Sequence, residues 1–438
     1  MAEPVETRRE TEPTPRVQAV HRGELGAPPL PGVTAAGRTT LVHDAAEVVG
    51  ERALVDARAF AAALDPADEV GLTLAHAVQA LRDGAPGIVV RVALGTDLLM
   101  QIAKLRALRA TWARVRELTG VDAPMIVWAG PDAATWTVYD PWVNLLRNTA
   151  GTFAALVGGA DHVTPIPWDA ALGEPDAHAR RLADNTFRVL VDEAHLGLTA
   201  DPAAGSWAIE AWSADLAAAA WATLTRVEAA GGPRALGLEA LAAPTRAERA
   251  RRIVKRLDGI LGTSLHPNLD ELRPARAGAP LDRGEARAAP FEALRRAAEA
   301  HDPRPSAFLV GLGPVAEHAT RLGWVKGLYE VAGVRALGSA RTGAAYDATD
   351  AGVAACVADW RVSGSPLAVL CGADERYRDA GAAFVAALKA AGARVTLAGR
   401  PKDLSLAVDA QVYAGMDVVA GLAAELAAQG IPVSGGVA

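Results

Sequence analysis

At 438 residues, with 51% apolar and 22% charged residues, the chain has ordinary globular composition and enough length for about two to three cores. A net charge of −7 excludes a general electrostatic grip on nucleic acid or an anionic membrane surface, leaving only a local basic pocket for an anion. Two cysteines, Cys356 and Cys371, are too few for a disulfide framework and fit no metal-ligand spacing, so a cytoplasmic setting and no bound metal are expected. Residues 1–20 lack the apolar core of a secretory signal, and Ala-rich Leu216–Leu224 is far too short to span a bilayer.

Residues 1–36 are rich in Pro, Glu, Thr and Arg and are expected to form a disordered arm. Apolar runs follow at Thr40–His43, Arg52–Val55, Ile88–Leu94, Met125–Ala129 and His162–Ile166. Between and after them lie amphipathic stretches, clearest at Leu99–Leu118, where Ile102, Leu105, Leu108, Trp112 and Val115 recur at helical spacing. Leu182–Leu190, Asp215–Ala230 and Ala247–Leu257 continue that pattern. Strands alternating with helices predict an α/β fold with a parallel sheet over 37–270. Prolines at 274, 280, 290, 303 and 305 mark 271–304 as a linker with one short helix near 290–301. Strands are then predicted at Ala307–Gly311, Ala368–Cys371, Arg394–Ala398 and Ala410–Ala414, so 305–438 reads as a small doubly wound domain of the flavodoxin type.

One stretch, 97–268, carries a series of specific motifs. They are Ala103-Lys104-Leu105-Arg106, Tyr139-Asp140-Pro141-Trp142, Gly158-Gly159-Ala160-Asp161, Arg180-Arg181-Leu182-Ala183-Asp184-Asn185, Asp201-Pro202 with Gly205-Ser206, and Gly262-Thr263-Ser264-Leu265-His266-Pro267. In order and spacing this series resembles the second half of the substrate barrel of the methylmalonyl-CoA mutase family. The resemblance implies a partial TIM-type (β/α) barrel followed by a degenerate cobalamin-binding-like domain. It further implies membership in a complex that rearranges the carbon skeleton of an acyl-CoA, such as methylmalonyl-CoA to succinyl-CoA, with adenosylcobalamin.

The departures from the family pattern point to a small, non-catalytic subunit. With Glu69 matched to the family's glutamate, Ala57 and Arg58 stand opposite its Tyr-His pair. Alanine has no hydroxyl, and arginine cannot supply imidazole's acid–base chemistry near pH 7. Five strand candidates fall short of an eight-stranded barrel, which takes about 250 residues. An incomplete barrel exposes strand edges, so a catalytic large subunit is expected as obligate partner. Where the family has Asp-x-His-x-x-Gly, this chain reads Ala316-Glu317-His318-Ala319-Thr320-Arg321. His318 keeps the cobalt-ligand position as a vestige, but Ala316 cannot orient its imidazole and Arg321 adds bulk where glycine leaves room. Cys371-Gly372-Ala373-Asp374 and Ala398-Gly399-Arg400-Pro401 replace the family's other cofactor elements. No cobalamin is therefore expected on this chain, only on the partner.

No catalytic residue is assigned. Lys104 and Arg106, with Arg109 on the same helix, read first as a solvated or interface stripe and second as contacts to CoA phosphates. His162, directly after a turn and near where a barrel strand would end, reads first as a packing histidine and second as a substrate contact. Trp128 and Trp136 read as core or interface aromatics. Two rival functions stand beside the subunit reading: a free-standing acyl-CoA-binding or assembly module, and a split catalytic component.

Overall fold

A computed structural model describes residues 39–196, 199–338, 345–402 and 404–433. The arm expected over 1–36 lies outside the described residues. The chain divides into two compact units. The first runs to Trp136 and adds Asn144–Arg246 and Arg276–Glu285; the second takes Thr137–Val143, Ala247–Ala275 and Ala286–Ala438.

The first unit opens with β1 (Thr40–Leu41), α1 (Ala45–Val49), β2 (Ala53–Asp56), α2 (Arg58–Ala63) and α3 (Pro66–Arg82). It continues with β3 (Ile88–Leu94), α4 (Leu98–Thr119), β4 (Met125–Pro131), α5 (Val143–Val157) and β5 (His162–Val163). Then come α6 (Ala177–Arg188), α7 (Trp207–Ala229) and the start of α8 (Leu238–Val254). Local chemistry sets the helix ends. Asp65 accepts from the Ala67 and Asp68 amides at the start of α3, with Pro66 in the first turn where its missing N–H costs nothing. Gly120, at φ 67°, closes α4 in the left-handed conformation that glycine adopts without strain.

The five strands form one sheet in the order β1-β5-β4-β3-β2, every pair parallel. Side chains alternate faces along a strand. One face presents Val55, Val90, Val92, Val127, Ala129 and Val163 to a core that includes Leu72, Leu105, Leu108 and Leu224 of α3, α4 and α7. Gly71 allows α3 and α7 to approach closely, since a Cβ there would lie 2.6 Å from Thr223 Cβ. The other face carries a smaller apolar cluster, Val42, Val48, Val89 and Trp128. On that face, register aligns Thr40, His162, Trp128, Arg91 and Asp56 in one row across all five strands.

The second unit holds α9 (Ala289–Glu299), β6 (Ser306–Gly311), α10 (Val315–Val331), β7 (Arg335–Gly338), α11 (Asp350–Ser363), β8 (Leu367–Cys371), α12 (Asp374–Ala390), β9 (Arg394–Ala398), β10 (Ala410–Val412) and α13 (Val418–Ala428). Its parallel sheet runs β10-β9-β8-β6-β7, with β8 buried throughout, β6 buried after Ser306, and apolar clusters on both faces. The early segment Thr137–Val143 belongs here. Tyr139 lies between the Arg273 and Arg295 guanidinium carbons, 4.2 and 4.1 Å from its ring centre, and donates to Glu299 at 3.0 Å. Of the stretch 271–304 read as a linker, 276–285 packs in the first unit and α9 in the second. Among the described residues no helix is long and apolar enough to cross a membrane.

Candidate functional site

In parallel α/β sheets, ligand groups gather where strands end and loops begin. In the first unit that end opens into a cleft of about 1170 Å³. Its floor comprises Asp56 and Arg58 at the end of β2, Arg91 and Ala93 of β3, Pro131–Ala134 at the end of β4, and Thr164–Pro167 past β5. A strap, 279–284, forms one wall, and α6 contributes Arg180 and Asp184. The strap is fixed by Leu281 N–H on the Ala170 carbonyl, 2.8 Å, and by Arg283 on the Trp136 carbonyl, 2.9 Å. Small side chains at Ala59, Ala93, Ala133 and Ala134 keep the cleft open.

Of Ala57 and Arg58, only Arg58 lines this cleft. Ala57 is fully buried and contributes no polar atom. Arg58 folds back on Asp56 through Nε, 2.8 Å from Oδ1, and a terminal nitrogen, 2.6 Å from Oδ2. This two-pronged contact suits the guanidinium fork. Half-burial works against the Asp56 charge, but Arg58's hydrogen bonds and charge, with Arg91's charge, hold its carboxyl below the usual carboxylate range. The same hydrogen bond raises the Arg58 pKa. Arg91 lies with its guanidinium carbon 3.9 Å from the centre of the Trp128 ring. The Trp128 indole in turn donates to Thr164 Oγ1 at 2.8 Å. His43 and Asp184 pair at 3.2 Å on the rim. At the two matched positions, alanine supplies no hydroxyl, and an arginine pinned to a carboxylate is a poor proton carrier at neutral pH.

The residues singled out in sequence lie elsewhere. Lys104 and Arg106 are 2% and 1% exposed, which corrects the solvated-stripe reading. Lys104 donates to both Glu69 oxygens at 2.9 Å and to the Ala93 carbonyl at 2.8 Å. Arg106 reaches Asp201 and Glu210 at 3.0 Å and Ser213 at 2.9 Å, while Arg109 meets Asp161 at 2.6 Å. Helix α4 is packed on several sides, so its cations need internal carboxylates in place of water. Neither Lys104 nor Arg106 lines the cleft. His162 opens β5, the Gly158–Gly159 turn leading almost straight into the strand; it does not stand at a strand end. Its Nδ1 contacts Thr40 Oγ1 at 2.6 Å, and burial lowers its pKa. Trp136 is buried, donating to the Pro167 carbonyl at 3.0 Å. Arg91 escaped the sequence reading; its signal was a lone charge within the apolar run Ile88–Leu94.

In the second unit the loop after β6 carries the residues matched to the cobalamin loop. His318 is 4% exposed, with Nδ1 3.0 Å from the Gly313 carbonyl. A carbonyl only accepts, so Nδ1 holds the proton and Nε2 the lone pair. That Nε2 packs against β6: a Cβ on Gly311 would lie 2.6 Å from it. Arg321 reaches the Gly372 carbonyl and Asp374, the latter at 3.0 Å, with its guanidinium near the Tyr377 ring. Tyr377 takes the Gly372 N–H at 2.9 Å and donates to the Ala398 carbonyl at 2.7 Å. The residues present do not fit a cobalt ligand and nucleotide tail: the lone-pair nitrogen is closed off and the end of β8 and β9 is filled. Among the described residues no group of His, Cys, Asp and Glu could hold a metal ion.

Comparison with known proteins agrees with the motif series. The family model described as methylmalonyl-CoA mutase matches residues 61–305. The methylmalonyl-CoA mutase small subunit of Streptomyces virginiae is 37% identical over 94% of this chain and 71% of its own length. A probable methylmalonyl-CoA mutase small subunit of Mycobacterium tuberculosis is 39% identical over 87% of this chain and 66% of its own. The small subunit from Propionibacterium freudenreichii subsp. shermanii is 34% identical over 78% of this chain, which spans only 56% of that relative. Two parallel α/β units, the motif series and these matches together establish that the chain belongs to the methylmalonyl-CoA mutase family.

Proposed function

We propose that this chain is a non-catalytic small subunit of a cobalamin-dependent acyl-CoA mutase, supporting a catalytic large subunit that interconverts methylmalonyl-CoA and succinyl-CoA or a related pair. One observation carries the reading: the position matched to the family's Tyr-His pair holds Ala57 and an Arg58 locked on Asp56. The filled cofactor loop of the second unit supports it, since His318 has no open lone pair and Arg321 occupies the strand ends. Adenosylcobalamin then belongs to the partner, where it would supply the radical; this chain contributes surface. The reading includes a barrel half for the first unit, supported by consecutive parallel strands β2 to β5 with β1 beside β5. It includes a flavodoxin-type second domain, supported by a strand order equivalent to 2-1-3-4-5. It also keeps the division into an arm at 1–36, a barrel-like domain at 37–270, a linker at 271–304 and a cobalamin-like domain at 305–438, in a cytoplasmic heterodimer.

Co-expression with the large subunit, followed by size exclusion with absorbance at cobalamin wavelengths, tests this directly. The expected result is a colourless chain that joins a coloured, stoichiometric complex. Cobalamin uptake or acyl-CoA turnover by the chain alone would overturn it. A stable, colourless monomer that ignores the large subunit would overturn it in favour of a free-standing acyl-CoA-binding or assembly module.

A further inference from the structure

The cleft of the first unit contains a cation whose hydrogen-bonding capacity is unspent. Arg91 projects from the middle of β3, on the sheet face opposite the main core, and lines the cleft. A guanidinium carries five N–H donors. Among the described residues, none of those of Arg91 makes a hydrogen bond or an ion pair; its neighbour is the face of Trp128 at 3.9 Å. Asp56, its register partner on β2, is the nearest candidate acceptor by strand position. Both Asp56 oxygens are already committed to Arg58, at 2.8 and 2.6 Å. Arg58 and Arg91 therefore face the cleft with Asp56 between them; of the other carboxylates in its lining, Glu174 is paired with Arg180, Asp184 with His43, Asp132 accepts from the Ala134 amide, and Asp282 lies on the Arg58 side. Burial and the charge of Arg58 both work against the charge of Arg91, with Asp56 only partly offsetting them.

The two buried arginines of helix α4 behave differently. Arg106 pairs with Asp201 and Glu210, and Arg109 with Asp161 and the Met125 and Gly159 carbonyls. A half-buried arginine left without an oxyanion, lining a cleft that opens at the strand ends of a parallel sheet and is partly walled by alanines and prolines, has the makings of an anion seat. A cation over an aromatic face, by contrast, contributes only about 0.5–2 kcal/mol and leaves the in-plane donors free to point elsewhere.

We propose that this cleft is an oxyanion-binding site in which Arg91, flanked by Arg58, takes the carboxylate or phosphate of a small organic ligand whose short apolar part rests on the alanine-lined floor. Trp128 holds the guanidinium plane, and Asp56 fixes Arg58 so that it adds charge without collapsing onto Arg91. The site is one of binding, and no bond is made or broken there. It stands independently of the subunit reading, because it needs no large subunit.

The test is calorimetric titration of the full-length chain at low ionic strength with propionate, succinate and inorganic phosphate in separate runs. Saturable one-to-one binding of at least one probe is expected. It should weaken tenfold or more in Arg91→Gln, several-fold in Arg91→Lys, which keeps the charge but loses the fork, and not at all in Arg226→Gln, an exposed arginine on α7. The two carboxylates against phosphate separate the two ligand chemistries, and succinate against propionate reports whether a second charge helps. If the wild-type chain binds none of the three, or if Arg91→Lys and Arg91→Gln bind as tightly as wild type, the proposal fails.

Discussion

The two parallel sheets of this chain end in different ways. In the first unit, the strand ends are lined by Ala59, Ala93, Ala133 and Ala134, and about 1170 Å³ stays open above them. In the second, Arg321, Tyr377 and His318 turn inward on the loop carbonyls, and the hollow left beside Leu312–Pro314 is about 230 Å³. The architecture offers a ligand seat at both places. Side-chain volume and hydrogen-bond reach in the first residues after each strand decide whether the seat is vacant or filled from within. A fold-level analogy would assign a ligand to both sheets; the residues support one only at the first.

The largest expected effect breaks the support behind the open end. Arg106→Ala strands Asp201 and Glu210 in a buried site, and removing one partner of such a pair costs about 3–5 kcal/mol. The urea midpoint of the chain should fall accordingly; an unchanged midpoint would show that water replaces the guanidinium. Next comes the closed end. Arg321→Gly removes hydrogen bonds from a charged donor, worth about 1.5–3 kcal/mol each in measured cases. Thermal unfolding should register the loss, yet the variant should remain colourless with added cobalamin, because His318 Nε2 still faces Gly311. Uptake of cobalamin by this single variant would mean that Arg321 alone closes the site.

A smaller effect is expected at the interface of α3 with α7. Gly71→Ala would place a Cβ 2.7 Å from the Ala220 carbonyl, and overpacking of this kind costs about 1–3 kcal/mol. A crystal structure of the variant should show the two helices moved apart. The smallest effect is a pH dependence at the open end. Asp56 has a folded pKa held below its ordinary 3.8. Its stabilising contribution is therefore complete above the unfolded value of 3.8 and is lost as pH falls through the lower folded value. Stability measured against pH for wild type and Asp56→Asn should differ at neutral pH and converge in that acid window. Because Asp56 is half-exposed, the difference should be modest and should shrink further with salt.

Much of the skeleton was legible from apolar patterning. Ile88–Leu94 and Arg394–Ala398 are strands to the residue, and α4 extends the predicted Leu99–Leu118 by one residue at each end. The misses have local causes. Strand β7 is a short edge strand, Arg335–Gly338, with no apolar run to announce it. Helix α8 begins at Leu238 although Pro244 lies inside it, and a proline in that position ordinarily signals a boundary. Helix α7 starts eight residues before the predicted Asp215, because its Ala-rich first half has little amphipathic contrast.

The site was harder to read. The sequence by itself determined the family and the alternation of strands and helices, since both are carried by residue identity and spacing along the chain. Only the tertiary structure decided that Lys104, Arg106 and Arg109 are buried cations, that His162 pairs with Thr40, and that Arg91 lies near Arg58 with no side-chain acceptor among the described residues. Helical periodicity places charges on a face but does not say what packs against it. A charge on a helix is solvated or paired according to carboxylates that lie as far as 104 residues away, as Arg106 and Glu210 do. Strand register, set by parallel pairing between segments distant in sequence, brought Asp56, Arg91 and Trp128 into one row.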